Sequence, residues 1–141
     1  MSDTVAARPV PHPDADSQAY WEGAAEGRLR LQRCAACGTV RHYPQLVCSH
    51  CYALEVEAFD AGGTGRVHSW TVAHHAFHPA FKGELPYTLV TVDLPEGPRS
   101  LGRLDPASAG ALRIGLPVRV SFPRDAAGTP LPVWTADPAA G

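Results

Sequence analysis

Cys34-Ala35-Ala36-Cys37-Gly38 and Cys48-Ser49-His50-Cys51 are two C-x-x-C pairs separated by ten residues. Each pair lets two sulfurs reach one ion from a tight turn, with backbone N–H groups pointing at the thiolates. Gly38 follows the first pair and supplies the left-handed conformation that such a turn favours. Tyr52 stands in the same place after the second pair, which costs turn regularity and removes no ligand. Four thiolates fill a tetrahedral shell, so Cys34, Cys37, Cys48 and Cys51 are read as ligands of a structural Zn²⁺ with no open catalytic position. Iron fits the same spacing; zinc is the commoner occupant of such ribbons. A redox C-x-x-C would need a pair at a helix N-terminus beside a strand, and no such helix is readable here.

Working outward, the flanks of the cysteine pairs read as short strands. Residues 28–34 alternate charged and apolar side chains, residues 40–43 return after the first knuckle, and residues 55–60 alternate again after the second. Before them, Asp16 or Ser17 is placed to cap a helix running to about Glu26, where Gly27 ends it. Tyr20, Trp21 and Ala24 fall at helical spacing on one face of that helix. After Gly62-Gly63-Thr64-Gly65 the pattern becomes a run of longer strands, at 65–75, 87–93, 99–104, 117–123 and 131–135. A longer insertion at 106–115 separates the third from the fourth, which suits a Greek-key barrel of the OB type. The fold class expected is therefore all-β with a small α component: an N-terminal helix, a rubredoxin-like zinc ribbon and a five-stranded OB-fold barrel. The divisions are a disordered arm at 1–16, the helix and Cys₄ ribbon at 17–61, the barrel at 62–136 and a tail at 137–141.

The 141 residues are 45% hydrophobic and 18% charged, with a net charge of −2. Those values suit one globular domain or two very small ones. No apolar run reaches the roughly 18 residues that span a bilayer, and the N-terminus lacks the basic start and apolar core of a signal peptide. A cytoplasmic protein without a membrane partner is expected, in a compartment where paired cysteines hold metal in preference to disulfides. All four cysteines are committed to the ion, and there is no serine elbow, phosphate loop or dinucleotide fingerprint, so no catalytic residue is assigned. OB barrels and zinc ribbons both bind single-stranded nucleic acid, which makes such a module the alternative function. A net acidic chain with a single Lys argues against it, because that affinity rests on phosphate neutralisation.

Taken together, residues ~17–136 resemble the acyl-CoA-associated zinc-ribbon/OB-fold proteins, a domain family of unknown function. The resemblance rests on Tyr20-Trp21-Glu22-Gly23, Gly27-Arg28-Leu29, the Cys₄ ribbon and Gly65-Arg66-Val67-His68-Ser69-Trp70-Thr71-Val72. It continues in His78-Pro79-Ala80-Phe81, Pro86-Tyr87, Glu96-Gly97-Pro98-Arg99 and Ile114-Gly115-Leu116-Pro117-Val118. What it implies is a non-catalytic accessory subunit, held in a heteromeric complex with a thiolase-like or lipid-transfer-protein-like enzyme. Such partners act on acyl-CoA thioesters as thiolase, aldolase or C-acyltransferase, and acyl-CoA becomes a candidate ligand.

The candidate ligand or partner contacts are Trp21, Arg33, His75, His78, Phe81 and Tyr87. Arg28, Arg30, Arg33 and Arg41 form a basic stretch without Asp or Glu between residues 27 and 52. It reads either as a face for CoA phosphates or, preferably, as compensation for the dianionic metal centre. His74, His75 and His78 lie on the loop after the first barrel strand; contact with a partner or acyl group and ordinary loop packing both fit. Tyr20 and Trp21 read equally as an exposed anchor or as a helix face packed on the barrel. Trp70 and Trp134 are read as core or groove aromatics.

Overall fold

The computed structural model describes residues 6–138. A single helix, α1 (Gln18–Ala25), precedes a three-stranded antiparallel ribbon of β1 (Arg30–Cys34), β2 (Val40–Arg41) and β3 (Val56–Asp60), in the order β2-β1-β3. The rest is a closed barrel of β4 (Thr64–Ala73), β5 (Tyr87–Asp93), β6 (Arg99–Leu104), β7 (Pro117–Ser121) and β8 (Val133–Ala136). Its order is β4-β5-β6-β8-β7, with β6 and β8 parallel and the other neighbours antiparallel. The expected all-β class with a small helix, a ribbon and a five-stranded OB-like barrel is what the chain adopts.

Local chemistry explains the elements. Ser17 is the N-cap of α1, one of the two caps the sequence offered, but its side chain makes no bond into the helix and is held instead by Asp14. Asp14 Oδ1 accepts from the Ser17 N–H at 2.9 Å, while Ser17 Oγ accepts from the Asp14 N–H at 3.1 Å. This reciprocal pair fixes the turn that leads into the helix. At the other end Gly27, at φ +76°, closes a Schellman turn in which Arg28 N–H reaches Gly23 O at 2.8 Å. Gly23 is small by necessity: a Cβ there would lie 2.7 Å from Arg30 Cβ, so the helix rests directly on β1.

One core joins the parts. Tyr20 from α1 and Leu29 and Leu31 from the ribbon cluster with Val67, Val90, Val92, Leu104, Val118 and Trp134 from the barrel. Trp134 is completely buried, and its indole lies where a Cβ on Gly102 would be, 2.8 Å from Cδ1. A second tie is polar. The Tyr43 hydroxyl accepts from the Leu101 N–H at 2.8 Å and donates to Leu101 O at 3.3 Å. Leu101 lies before the β6–β8 pairing begins at Arg103, so Tyr43 satisfies backbone groups that no strand takes on that edge.

The arm expected to be disordered at 1–16 is described from residue 6, and its Arg8, Pro9 and Pro11 lie against the barrel beside Phe81 and Leu89. Arg8 pairs with Glu84 and Asp125 and lies over the Phe81 ring at 4.9 Å. These partners are distant in sequence, which is why composition alone gave no sign of them. Residues 1–5, and residues 139–141 of the tail, lie outside the described residues.

Candidate metal centre and contact surfaces

The two knuckles are built alike. Gly38 N–H donates to Cys34 O and Tyr52 N–H to Cys48 O, both at 2.9 Å. Gly38 has φ +79° and Tyr52 has φ +65°, so the tyrosine takes the left-handed conformation that the glycine takes. The knuckle geometry is thus regular despite the side chain.

The ligand atoms of Cys34, Cys37, Cys48 and Cys51 lie within 4.8 Å of one another, with Cys34–Cys51 at 3.6 Å and Cys37–Cys48 at 3.7 Å. A tetrahedral ion with bonds of about 2.3 Å to sulfur sets its ligands about 3.8 Å apart, so the four atoms already outline a zinc shell. Among the described residues no other group of His, Cys, Asp or Glu converges in this way. The backbone N–H groups of Cys51 and His50 pull the Cys48 thiol down to about 6, and the Thr39 hydroxyl lowers that of Cys37. Cys51 receives the Ala53 N–H, yet its thiol neighbours, Cys34 foremost, push it up to about 12. Without an ion the cluster cannot carry four negative charges; an ion displaces the remaining protons and completes the turn structure.

The basic stretch is turned inward on the chain itself. Arg28 and Arg30 both reach Asp60, at 3.0 and 2.8 Å, and Arg30 also reaches Glu26. Arg33 stacks on Phe59 at 4.1 Å. Arg41 is buried and donates to Gln32 Oε1 at 2.7 Å and Gln45 O at 2.8 Å. Sequence spacing missed the ties to Asp60 and Phe59 because both sit on a strand about 30 residues further along the chain.

The remaining candidates fall into two groups. Trp21 stays with the helix, edge-on to Tyr20 at 5.1 Å and packed on the common core. The others lie around the loop between β4 and β5. His78 Nδ1 accepts from Ala80 N–H and caps the 3-10 turn at Pro79–Glu84, while His75 meets the exposed Phe77 edge-on. Phe81 and Tyr87 do come together, through Arg103, whose guanidinium lies 4.0 Å over Tyr87 and 5.7 Å over Phe81 and pairs with Glu84 at 2.8 Å. Neither Arg103 nor Glu84 carried a motif, so the cluster was not legible before folding. Of the two tryptophans read as core or groove aromatics, Trp134 is in the core and Trp70 is exposed.

A surface the sequence did not indicate lies on the ribbon. Leu46, Tyr52, Leu54 and Val56 are all exposed, Tyr52 at 78%. Leu46, Leu54 and Val56 line a groove of about 270 Å³ together with Pro44 and Tyr20. Among the described residues no helix is long and apolar enough to cross a membrane.

Comparison with known proteins agrees with this architecture. Residues 21–57 match the rubredoxin-like zinc ribbon domain of ChsH2, and residues 59–123 match its C-terminal OB-fold domain. The chain is 43% identical over 113 residues to a probable enoyl-CoA hydratase alpha subunit of Thermomonospora curvata, covering 80% of this chain and 35% of that protein. It is 31% identical over 93 residues to a DUF35 domain-containing scaffold protein of Methanocaldococcus jannaschii, covering 65% of each. The chain thus spans about a third of the first relative and under two thirds of the second. Among solved structures it is similar to a chain of the Ltp2-ChsH2(DUF35) aldolase, with a TM-score of 0.78, 40% identity, and coverage of 90% of this chain and 98% of that one. Ribbon, barrel and matched sequence agree: the chain belongs to the DUF35 family, in the ChsH2-type arrangement of a zinc ribbon followed by an OB-fold domain.

Proposed function

We propose that this chain is a non-catalytic accessory subunit that docks on, and completes, a thiolase-like enzyme acting on acyl-CoA thioesters. The observation that carries the reading is the apolar face of the ribbon, where Leu46, Leu54 and Val56 stand exposed along a groove. Exposed apolar residues gathered along one groove of so small a ribbon form the kind of patch that marks a protein–protein contact. The closed Cys₄ shell supports the same reading, since it offers no open position to a substrate. The names of relatives support an acyl-CoA chemistry for the partner: one is a probable enoyl-CoA hydratase alpha subunit, and a similar chain belongs to an aldolase assembly. Acyl-CoA is the ligand class proposed for the joint site, with Phe81, Tyr87 and Arg103 as the contacts on this chain.

The test is co-expression with the candidate enzyme, followed by size-exclusion chromatography and thioester turnover. The expected result is a stable heteromer whose activity falls when Leu54→Asp is introduced, with zinc content unchanged. A wild-type chain that forms no complex with hydratase, aldolase or thiolase partners would remove the proposal. Tight binding to single-stranded oligonucleotides, lost at high salt, would replace it with the nucleic-acid reading.

A further inference from the structure

β4 is the longest strand of the barrel, yet only its beginning is paired on both sides. β7 takes Thr64, Gly65 and Arg66, and the Val67 backbone bonds to Leu116 and Gly115. Beyond that point the opposite edge continues to pair with β5 as far as Ala73 and Tyr87. On the β7 side, residues 69–73 meet no hydrogen-bonding partner among the described residues.

The barrel handles its other open edge differently. Leu101 of β6 has both backbone groups taken by the Tyr43 hydroxyl. Solvated edges are usually protected by charged side chains or proline, which refuse a foreign strand. Residues 69–77, Ser-Trp-Thr-Val-Ala-His-His-Ala-Phe, contain no Asp, Glu, Lys, Arg or Pro.

The side chains point the same way. After the bulge between Val67 and Ser69, Trp70 lies opposite the buried Val90 and Val72 opposite Thr88, so both face the inner side of the sheet. They are nonetheless 41% and 43% exposed, because none of the described residues covers this end of the barrel. Beside Val72 opens a cavity of about 570 Å³, walled by Leu104, Val133, Ala109 and Pro86, with Arg103 and Glu84 also on its wall.

We propose that the free edge of β4, residues 69–73, receives an extended, uncharged segment of the partner enzyme as an added strand. The alternate apolar side chains of that segment cover Trp70 and Val72 and enter the cavity. The inference rests on the accessory-subunit reading and names a second surface of that subunit. A row of unpaired backbone donors and acceptors matches the row along another extended chain, which is recognition by strand addition. A second copy is the poorer occupant: pairing two five-residue edges falls well short of the roughly 1,200 Å² that a stable interface buries. A partner already seated on the apolar ribbon face needs no such area from the edge.

The experiment is amide hydrogen exchange on the free chain and on the purified complex, with Trp70→Lys and Val72→Lys as variants and Ile114→Lys as a control at an exposed apolar residue elsewhere. Exchange at residues 69–73 is expected to slow at least tenfold in the complex, and the Lys variants to weaken the complex at least tenfold with zinc content and thermal midpoint unchanged. Unchanged exchange at β4, or wild-type affinity in both Lys variants, overturns strand addition while leaving the accessory role in place. A homodimer of the free chain that Val72→Lys abolishes assigns the edge to a second copy and also overturns it. Failure of the wild-type chain to form any complex removes both readings together.

Discussion

Tyr52 holds a left-handed conformation at φ +65° where the equivalent residue of the first knuckle is glycine. A side chain there costs about 1 kcal/mol through the clash between Cβ and the backbone. The ring is also 78% exposed, so no burial on this chain offsets that cost. Tyr52→Gly is therefore expected to raise the stability of the isolated protein by about 1 kcal/mol, read as a higher thermal midpoint. In the proposed complex the same change removes an apolar ring from the ribbon face and is expected to weaken binding. Trp134 shows the opposite balance. It is wholly buried against Gly102, and Trp134→Ala is expected to cost about 3–5 kcal/mol, measured by denaturant unfolding. Its Nε1 meets no acceptor among the described residues, so the stabilisation comes from burial and contact.

At the scale of elements, the ribbon depends on its ion and on its seam with the barrel. β1, β2 and β3 bury too little to fold alone, and metal binding to such a centre contributes roughly 10 kcal/mol or more. Cys34→Ser is expected to abolish zinc binding and unfold the ribbon, seen as loss of bound metal and of its strand signal. The seam contains His42, which lies 3.9 Å from the Tyr43 ring and 5.5 Å from Tyr20. Burial lowers its pKa from 6.5 to about 4, and neither ring nitrogen has a partner among the described residues. The unfolded chain therefore binds a proton between pH 6.5 and about 4 that the folded chain refuses. Stability is full above 6.5 and is lost as pH falls toward 4, by about 3 kcal/mol in all. Titrating unfolding free energy across that window in His42→Phe is expected to flatten this part of the dependence. Because the cysteine thiols also take up protons in acid, the comparison belongs at saturating zinc.

For the whole molecule, the shared core decides how the parts behave together. Tyr20, Leu29 and Leu31 join barrel residues in one cluster, so removing zinc with a chelator is expected to lower the melting midpoint of the barrel as well. Two separate transitions, with the barrel midpoint unmoved, would show that helix and ribbon contribute nothing to it. The molecule also divides its surfaces. The Arg residues near the ribbon are engaged with Asp60, Glu26, Phe59, Gln32 and Gln45, while the ribbon face around Leu54 and the edge of β4 stay open. Around the ribbon, charge is used for internal fastening, while apolar surface is left open.

The sequence by itself determined the metal centre and the order of elements, because both are local. Cysteine spacing dictates how far apart sulfurs can lie, and period-two alternation marks each strand without reference to its neighbour. The helix ending at Gly27 and the strands from 87 and 99 were readable for the same reason. Tertiary structure alone decided the rest. Whether Arg30 faces solvent or Asp60, whether Tyr43 closes the edge of β6, and whether Arg103 gathers Phe81 and Tyr87 all depend on partners 16 to 58 residues away. No local pattern encodes a distance of that kind. It is set by barrel closure and register, which bury Trp134 yet leave Trp70, also on a barrel strand, in the open.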